Sequence, residues 1–373
     1  VQPLDPIGVY TPAAVKAELL FGAGDRELTF RFDHLDSGNA YLGPLSNVLG
    51  GTVDNNYLAD IKRSATFNIQ DDGSINFIRD RIKPWARLAM PDGGYVEWPL
   101  GVFLLSTPAR TLTAGGSYIK RTVQGYDQLL ILRDNAVTDR YAIASGTAYT
   151  TAIATLATAA GIVSTNITAS AATLPATMEW DPGTTYLRII NDLLAAINYE
   201  SASFDEVGKF IAKPYVSPTA RASDFTYATD ASSVIADGID QTLDLFSVPN
   251  VFVLVKSEPD QATLRSVYTN ASPTSPTSTV NRGRSIATVI AEQDAPDQTT
   301  LDAKAARAAS DASQVYEEVE FDSAIMPMHG TNDVLTFQAD GLAISTQYAE
   351  HEWSFPLKAG EMMHHKIRRV VTV

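Results

Sequence analysis

Short stretches near the start of the chain alternate apolar and polar residues with period two. Leu28, Phe30 and Phe32 alternate with Thr29 and Arg31, which predicts a half-buried strand. A second strand is expected over 64–69, ending at the turn-forming Asp71-Asp72-Gly73. Others follow over 80–90, closed by Pro91-Asp92-Gly93-Gly94, and over 98–105. A strand over 118–126 would pair with the last of these across Thr113-Ala114-Gly115-Gly116. Residues 15–21 read as a first strand or a turn of helix, followed by a tight turn at Gly22-Ala23-Gly24-Asp25. Three prolines and a glycine within 1–13 read as an extended arm. The whole stretch predicts an antiparallel β-barrel or sandwich.

The period changes at Asp127. A short helix is expected over 127–133, and Thr147 is placed to cap a second over 151–160 that stops at Gly161. Thr184 or Thr185 can cap a third, whose apolar stripe of Leu187, Ile190, Leu193, Leu194 and Ile197 has helical spacing. Residues 204–211 read as a hairpin with Glu206-Val207-Gly208-Lys209 at its turn, so 127–213 reads as a small α+β insert. A second β region opens near Gln241, with the apolar run 251–255 as a central strand. Residues 270–281, rich in Ser, Thr and Pro, read as an exposed loop that need not pack. Thr299 or Thr300 is placed to cap an Ala-rich helix over 301–309. Val315, Val319 and Phe321 then face one way along a strand, a turn is expected over 328–333, and further strands over 334–337, 344–355 and 367–373. The fold class is therefore mainly β with an α+β insert. Residues 1–126 form the arm and a first barrel, 127–213 the insert, and 214–373 a second barrel with one packed helix, with strands from 214–240 free to return to the first barrel.

At 373 residues and 45% apolar composition, two to three domains can each bury a core. The net charge of −15 removes any sequence-independent attraction to DNA phosphates. The absence of cysteine excludes disulfides and thiolate metal sites. No apolar run approaches membrane-spanning length, so no membrane insertion by this chain is expected, and the start at Val1-Gln2-Pro3 shows no signal peptide.

The five histidines are His34, His329, His351, His364 and His365. His351-Glu352 lacks the second histidine of a zincin helix, and His364-His365 reads as a solvated or subunit-contacting pair rather than a metal site. No nucleophile elbow, Walker loop or dinucleotide fingerprint occurs. Asp71-Asp72-Gly73, and Asp33 with Asp36, lack the ligand spacing of a calcium loop and read as turns. Arg79, Asp80, Arg81, Lys83 and Arg87 mix signs around Pro84-Trp85 and read as a salt-bridged intersubunit surface. Trp85, Trp98, Trp180 and Trp353 read as core or interface anchors. No catalytic, cofactor-binding or metal residue is assigned, and the chain is not expected to be an enzyme.

The order of these parts resembles the tail hub proteins of tailed phages: the baseplate hub of contractile tails, the late-control protein D family, and the siphophage distal hub or minor tail proteins. An early barrel runs out through Arg121-Thr122-Val123-Gln124-Gly125-Tyr126-Asp127-Gln128-Leu129-Leu130 into a short helix, and the insert carries Ala-Ile-Ala-Thr-Leu-Ala-Thr-Ala-Ala-Gly at 152–161. Tyr186-Leu187-Arg188-Ile189-Ile190-Asn191-Asp192-Leu193-Leu194 precedes the hairpin, and the late helix and strand lead into Met326-Pro327-Met328-His329-Gly330-Thr331-Asn332-Asp333-Val334-Leu335. The run Arg79–Leu88, followed by Trp98-Pro99-Leu100-Gly101-Val102-Phe103, looks like the first barrel of siphophage minor tail proteins. The resemblance implies two tail-tube-like antiparallel β-barrels per chain and a homotrimer whose six barrels form a pseudo-sixfold ring. It further implies, as partners, a tail tube or distal tail protein, a tape-measure protein and a central fibre or tip protein. DNA would pass the channel without specific binding, and the chain would sit in the virion at the distal end of the tail. Many such hubs carry a C-terminal peptidase or lysozyme domain; none is expected here.

Two other readings stand beside it. A receptor- or carbohydrate-binding tail tip protein would need exposed aromatic platforms, for which Trp180 and Trp353 are candidates. A peptidoglycan hydrolase would need paired carboxylates such as Glu317, Glu318 and Glu320 with Asp322, although strand alternation puts Glu318 and Glu320 on a solvated face.

Overall fold

The computed structural model describes residues 1–20, 26–113, 118–231, 233–256, 263–291, 298–312 and 314–372. The turn expected at Gly22–Asp25 and most of the one at 113–116 lie outside the described residues. The chain is mainly antiparallel β-sheet with few helices, in keeping with its alternating patterns. Residues 15–20 are helical, within Pro12–Leu20. Contacts gather the chain into two compact units: residues 1–238 with 321–366, and residues 239–320 with 367–373. This division differs from three consecutive segments, because strands late in the sequence return to the first unit.

In the first unit Arg63–Asp71 lies between Val48–Asn56 and Ile119–Tyr126, with Thr66 opposite Thr52 on one side and Gln124 on the other. Ala65, Phe67 and Ile69 are buried, as the alternation predicts. Leu28–Leu35 runs antiparallel to Arg81–Ala89. Phe67 meets Phe32 and Phe103 edge to face, with ring centroids 6.4 and 5.7 Å away. The single strand expected over 98–105 is two, Tyr95–Pro99 and Phe103–Leu105, both paired to Arg81–Ala89. Gly101 breaks it: its φ is +129°, and a Cβ there would lie 2.9 Å from the Phe103 ring. Ile344–Pro356 pairs with Val48–Asn56 and, on its earlier residues, with Val334–Ala339, to which Phe225–Ala228 adds in parallel.

Within the same unit, residues from 129 to 212 pack around Leu132, Ile153, Leu156, Ile190, Leu193, Leu194 and Phe210. Each such fully buried side chain contributes about 1.5–3 kcal/mol of transfer free energy. Thr185 accepts from the Arg188 N–H at 3.2 Å and caps Tyr186–Ala196, as its position predicts. Thr147 does not cap: the helix Tyr149–Ala159 starts after Ala148 with no side-chain cap. Asp127 prepares the short helix Leu129–Asp134 by accepting from the Leu129 N–H at 2.9 Å.

In the second unit Val251–Lys256 is central, antiparallel to Leu264–Thr269 and parallel to Ala287–Ala291. Helix Gln298–Ala312 lays Leu301, Ala305 and Ala309, spaced four apart, on Phe252 and Leu254. Its first described residue precedes Thr299 and Thr300, so neither is the N-cap. The loop expected to stay unpacked over 270–281 is anchored instead. Buried Asn250 donates to the Thr277 and Arg284 carbonyls at 3.0 and 3.1 Å, and Thr277 and Ser278 are buried with it. A buried amide needs such partners, and this one finds them in the loop backbone.

Candidate functional site

Within the first unit, a turn and stretches of four strands bring a set of ionisable side chains into its interior. Phe225–Ala228 supplies Tyr227, Gln314–Ala324 supplies Ser323, Ile344–Pro356 supplies Glu350, and Met362–Thr372 supplies His365. The turn over 328–333 supplies His329 and Asp333. All six are buried. Glu350 stands at the centre: one carboxylate oxygen is 2.6 Å from His329 Nδ1 and the other 2.6 Å from His365 Nδ1. The outer nitrogens both meet hydroxyls, His329 Nε2 with Tyr227 Oη at 2.7 Å and His365 Nε2 with Ser323 Oγ at 2.8 Å. Asp333 Oδ2 accepts the Gly330 N–H at 2.7 Å and lies 3.6 Å from His329 Nδ1, while its other oxygen takes the Val1 amino group. Trp353 Nε1 donates to the Gly330 carbonyl at 2.7 Å and holds the turn against the sheet.

The electrostatics follow from burial and from these partners. Burial alone would lower the His329 pKa, but the Glu350 and Asp333 carboxylates outweigh it and raise it to about 9. Burial would raise Glu350, yet His329 and His365 hold it below the usual carboxylate range. Asp333 is likewise held low against its burial, chiefly by His329 and the Val1 amino group. His365 is pushed down by burial and by the charge on His329, though Glu350 opposes the shift. Tyr227 is raised well above 10 by burial, then by Glu350. At neutral pH the network therefore holds an imidazolium between two carboxylates, with a neutral imidazole on the far side of Glu350. A buried polar network with its members satisfied fixes the relative placement of the strands that carry it. Asp333 also lines a polar cleft of about 180 Å³, with Glu200, Asp205, Glu206, Lys213 and Arg221 around it.

The residues singled out from the sequence are scattered. His365 corrects the expectation of a solvated pair: strand alternation turns it inward while His364 stays near the surface, 2.7 Å from Asp322. His34 bonds Asp80 at 2.7 Å, and His351 is buried. Asp36 accepts from the Gly38 and Ala40 N–H groups, and Asp71 from Gly73, as turn aspartates.

The expected surface charge cluster is divided. Arg81 is internal and bonds Asn39 and Gln128, while Arg87 pairs with Glu97 at 2.6 Å. The guanidinium of Arg31 lies 4.1 Å from the Trp85 ring centroid. Trp98, Trp180 and Trp353 are buried, so neither Trp180 nor Trp353 offers a platform to a sugar. In the second unit Glu317 is buried and bonded to Gln241 and Arg369 at 2.6 Å each, which removes it from any carboxylate pair with Glu318 or Glu320. The network around Glu350 escapes the sequence reading. The one available signal is that His365 shares its strand face with Met363 and Ile367.

No family model matches the chain, and no curated protein matches it by sequence. Solved structures do match it in shape. The tail protein from Neisseria meningitidis MC58 has a TM-score of 0.60 at 12% identity, covering 91% of this chain and 97% of its own. The 43 kDa tail protein of prophage MuSo2 from Shewanella oneidensis gives 0.58 at 9% identity, covering 92% and 98%. A chain of the Francisella PdpA–VgrG complex gives 0.59 at 8% identity, covering 97% of this chain but 61% of its own. Sequence identities this low carry likeness of fold alone, and over nearly its whole length the chain has the fold of these two tail proteins.

Proposed function

We propose that the chain is a structural component of a phage-type tail, acting as its hub. The observation that carries this reading is end-to-end agreement with the Neisseria meningitidis tail protein, which accounts for 97% of that chain and 91% of this one. A match limited to one common domain would not support a shared architecture; agreement across the whole order of parts does. In this reading each chain contributes two tube-like barrels beside the insert at 127–213, with late strands such as Ile344–Pro356 returning to pair with strands of 1–126. Three chains close a pseudo-sixfold ring that joins the tail tube to the distal tip or central fibre, with a tape-measure protein ending inside it. Open sheet edges give the ring its means of closure. The net charge of −15 suits a channel through which DNA slides without adhering. The role is non-enzymatic, and the virion is its location. The burial of Trp180 and Trp353 weighs against a sugar-binding tip protein.

The test is electron-microscope class averaging of purified particles, together with light scattering on the isolated chain. A threefold ring with six lobes around an open channel is the expected result. Particles in which the chain is present as single copies with no ring would overturn the hub reading.

A further inference from the structure

We propose that His329, Glu350 and His365 form a structural site for one first-row divalent metal ion, with Zn²⁺ best suited to the donor set. The ligating atoms of the three residues lie within 4.8 Å of one another, although the residues come from three separate segments of the chain. Two imidazoles and a carboxylate are a donor set that favours zinc over calcium or magnesium, which take oxygen ligands.

The orientation of the rings is the more specific observation. Both histidines turn Nδ1 inward to Glu350, at 2.6 Å in each case, and both place Nε2 against a hydroxyl, that of Tyr227 at 2.7 Å and that of Ser323 at 2.8 Å. Outer-nitrogen partners of this kind fix the ring plane of metal-bound histidines, and an ion would take the place of the protons that join Nδ1 to Glu350 in its absence, opening the 2.6 Å contacts as it binds. A fourth donor is at hand in Asp333, whose Oδ2 is 3.6 Å from His329 Nδ1. Asp333 also lines the polar cleft, so the donors are one residue from solvent. Ligands drawn from the turn over 328–333 and from strands Ile344–Pro356 and Met362–Thr372 would come together only as the first unit folds. An ion bound there would be captured on folding and would release slowly.

The experiment uses the full chain, unfolded in guanidinium with chelator and refolded with Zn²⁺, with Co²⁺, or with chelator alone, then desalted. The expected result is about one ion per chain by elemental mass spectrometry, with tetrahedral Co²⁺ absorption bands in the cobalt sample. His364→Gln, one position away and facing outward, should retain the ion, whereas His365→Gln should retain at least roughly tenfold less. Should His365→Gln fail to fold, the wild-type metal content and the cobalt spectrum decide the matter by themselves. Wild-type chain that refolds in zinc with less than about a tenth of an ion per chain overturns the site, as does equal retention by a folded His365→Gln. Glu350 then joins the two imidazoles through protons alone.

Discussion

Asp127 gives a quantitative test of how the insert is joined to the strands before it. Its carboxylate is buried, accepts the Arg63 and Leu129 N–H groups at 3.1 and 2.9 Å, and is faced by the cations Lys62 and Arg63. Burial outweighs all of these and raises its pKa from 3.8 to about 6. A raised carboxylate binds its proton more tightly in the folded chain than in the unfolded one. Stability from this group therefore grows as the pH falls through about 6 and levels off below 3.8. The full gap corresponds to about 3 kcal/mol, and the part gained between pH 7 and pH 5 to about 1 kcal/mol.

The perturbation is Asp127→Asn, which removes the titration and keeps the shape. All four tryptophans, Trp85, Trp98, Trp180 and Trp353, lie in the same unit as Asp127, so tryptophan fluorescence in urea follows the unit that matters. The quantity to compare is the stability difference between wild type and variant at each pH, because other titrating groups such as His365 and Glu350 are common to both and cancel. Wild type should gain about 1 kcal/mol on the variant between pH 7 and pH 5. A difference that stays flat, or that moves toward the variant as the pH falls, would refute the placement of Asp127 as a buried acid whose pKa is raised.

Three further outcomes follow from packing and capping. Thr185→Ala removes the cap on Tyr186–Ala196 and should cost about 1 kcal/mol by urea denaturation, whereas Thr147→Ala, which caps nothing, should be close to neutral. Leu193→Ala opens a cavity in the core of the insert and should cost about 2–5 kcal/mol; a loss below 1 kcal/mol on the same scale would mean that this core is not close-packed. Gly101→Ala drives a methyl group into the Phe103 ring and the Arg63 stem at a positive φ, and a cost of about 1–3 kcal/mol is expected from the shift of the urea midpoint.

Strand Arg63–Asp71 was legible because one face is buried and the other is not, which writes a period of two into Ala65, Phe67 and Ile69. The helix at Tyr186–Ala196 was legible through its stripe and its Thr185 cap. Thr147 misled because capping depends on where the backbone turns, and Ala148 occupies that place with an extended conformation. The break at Gly101 was hidden because an apolar run does not reveal a bend that only a side-chain collision enforces. Glu350 was hidden for a different reason. Around it Tyr348, Ala349, Glu350 and His351 are all buried, so this part of the strand has lost the two-faced pattern that alternation needs. His365 kept that pattern beside Met363 and Ile367, but a histidine carries no hydrophobic signature to mark its burial.

The return of late strands to the first unit sets a timetable on the ribosome. Asn56 lies opposite Glu352, 296 residues further on. At about 5–20 residues per second, translation leaves Val48–Asn56 without its second neighbour for roughly 15–60 s. Through that interval the nascent chain exposes an unpaired edge, a template for neighbouring polypeptides on the same message. Slowing synthesis should therefore lower the soluble yield of this chain, and a circular permutant that starts near residue 321 would supply the late strands first.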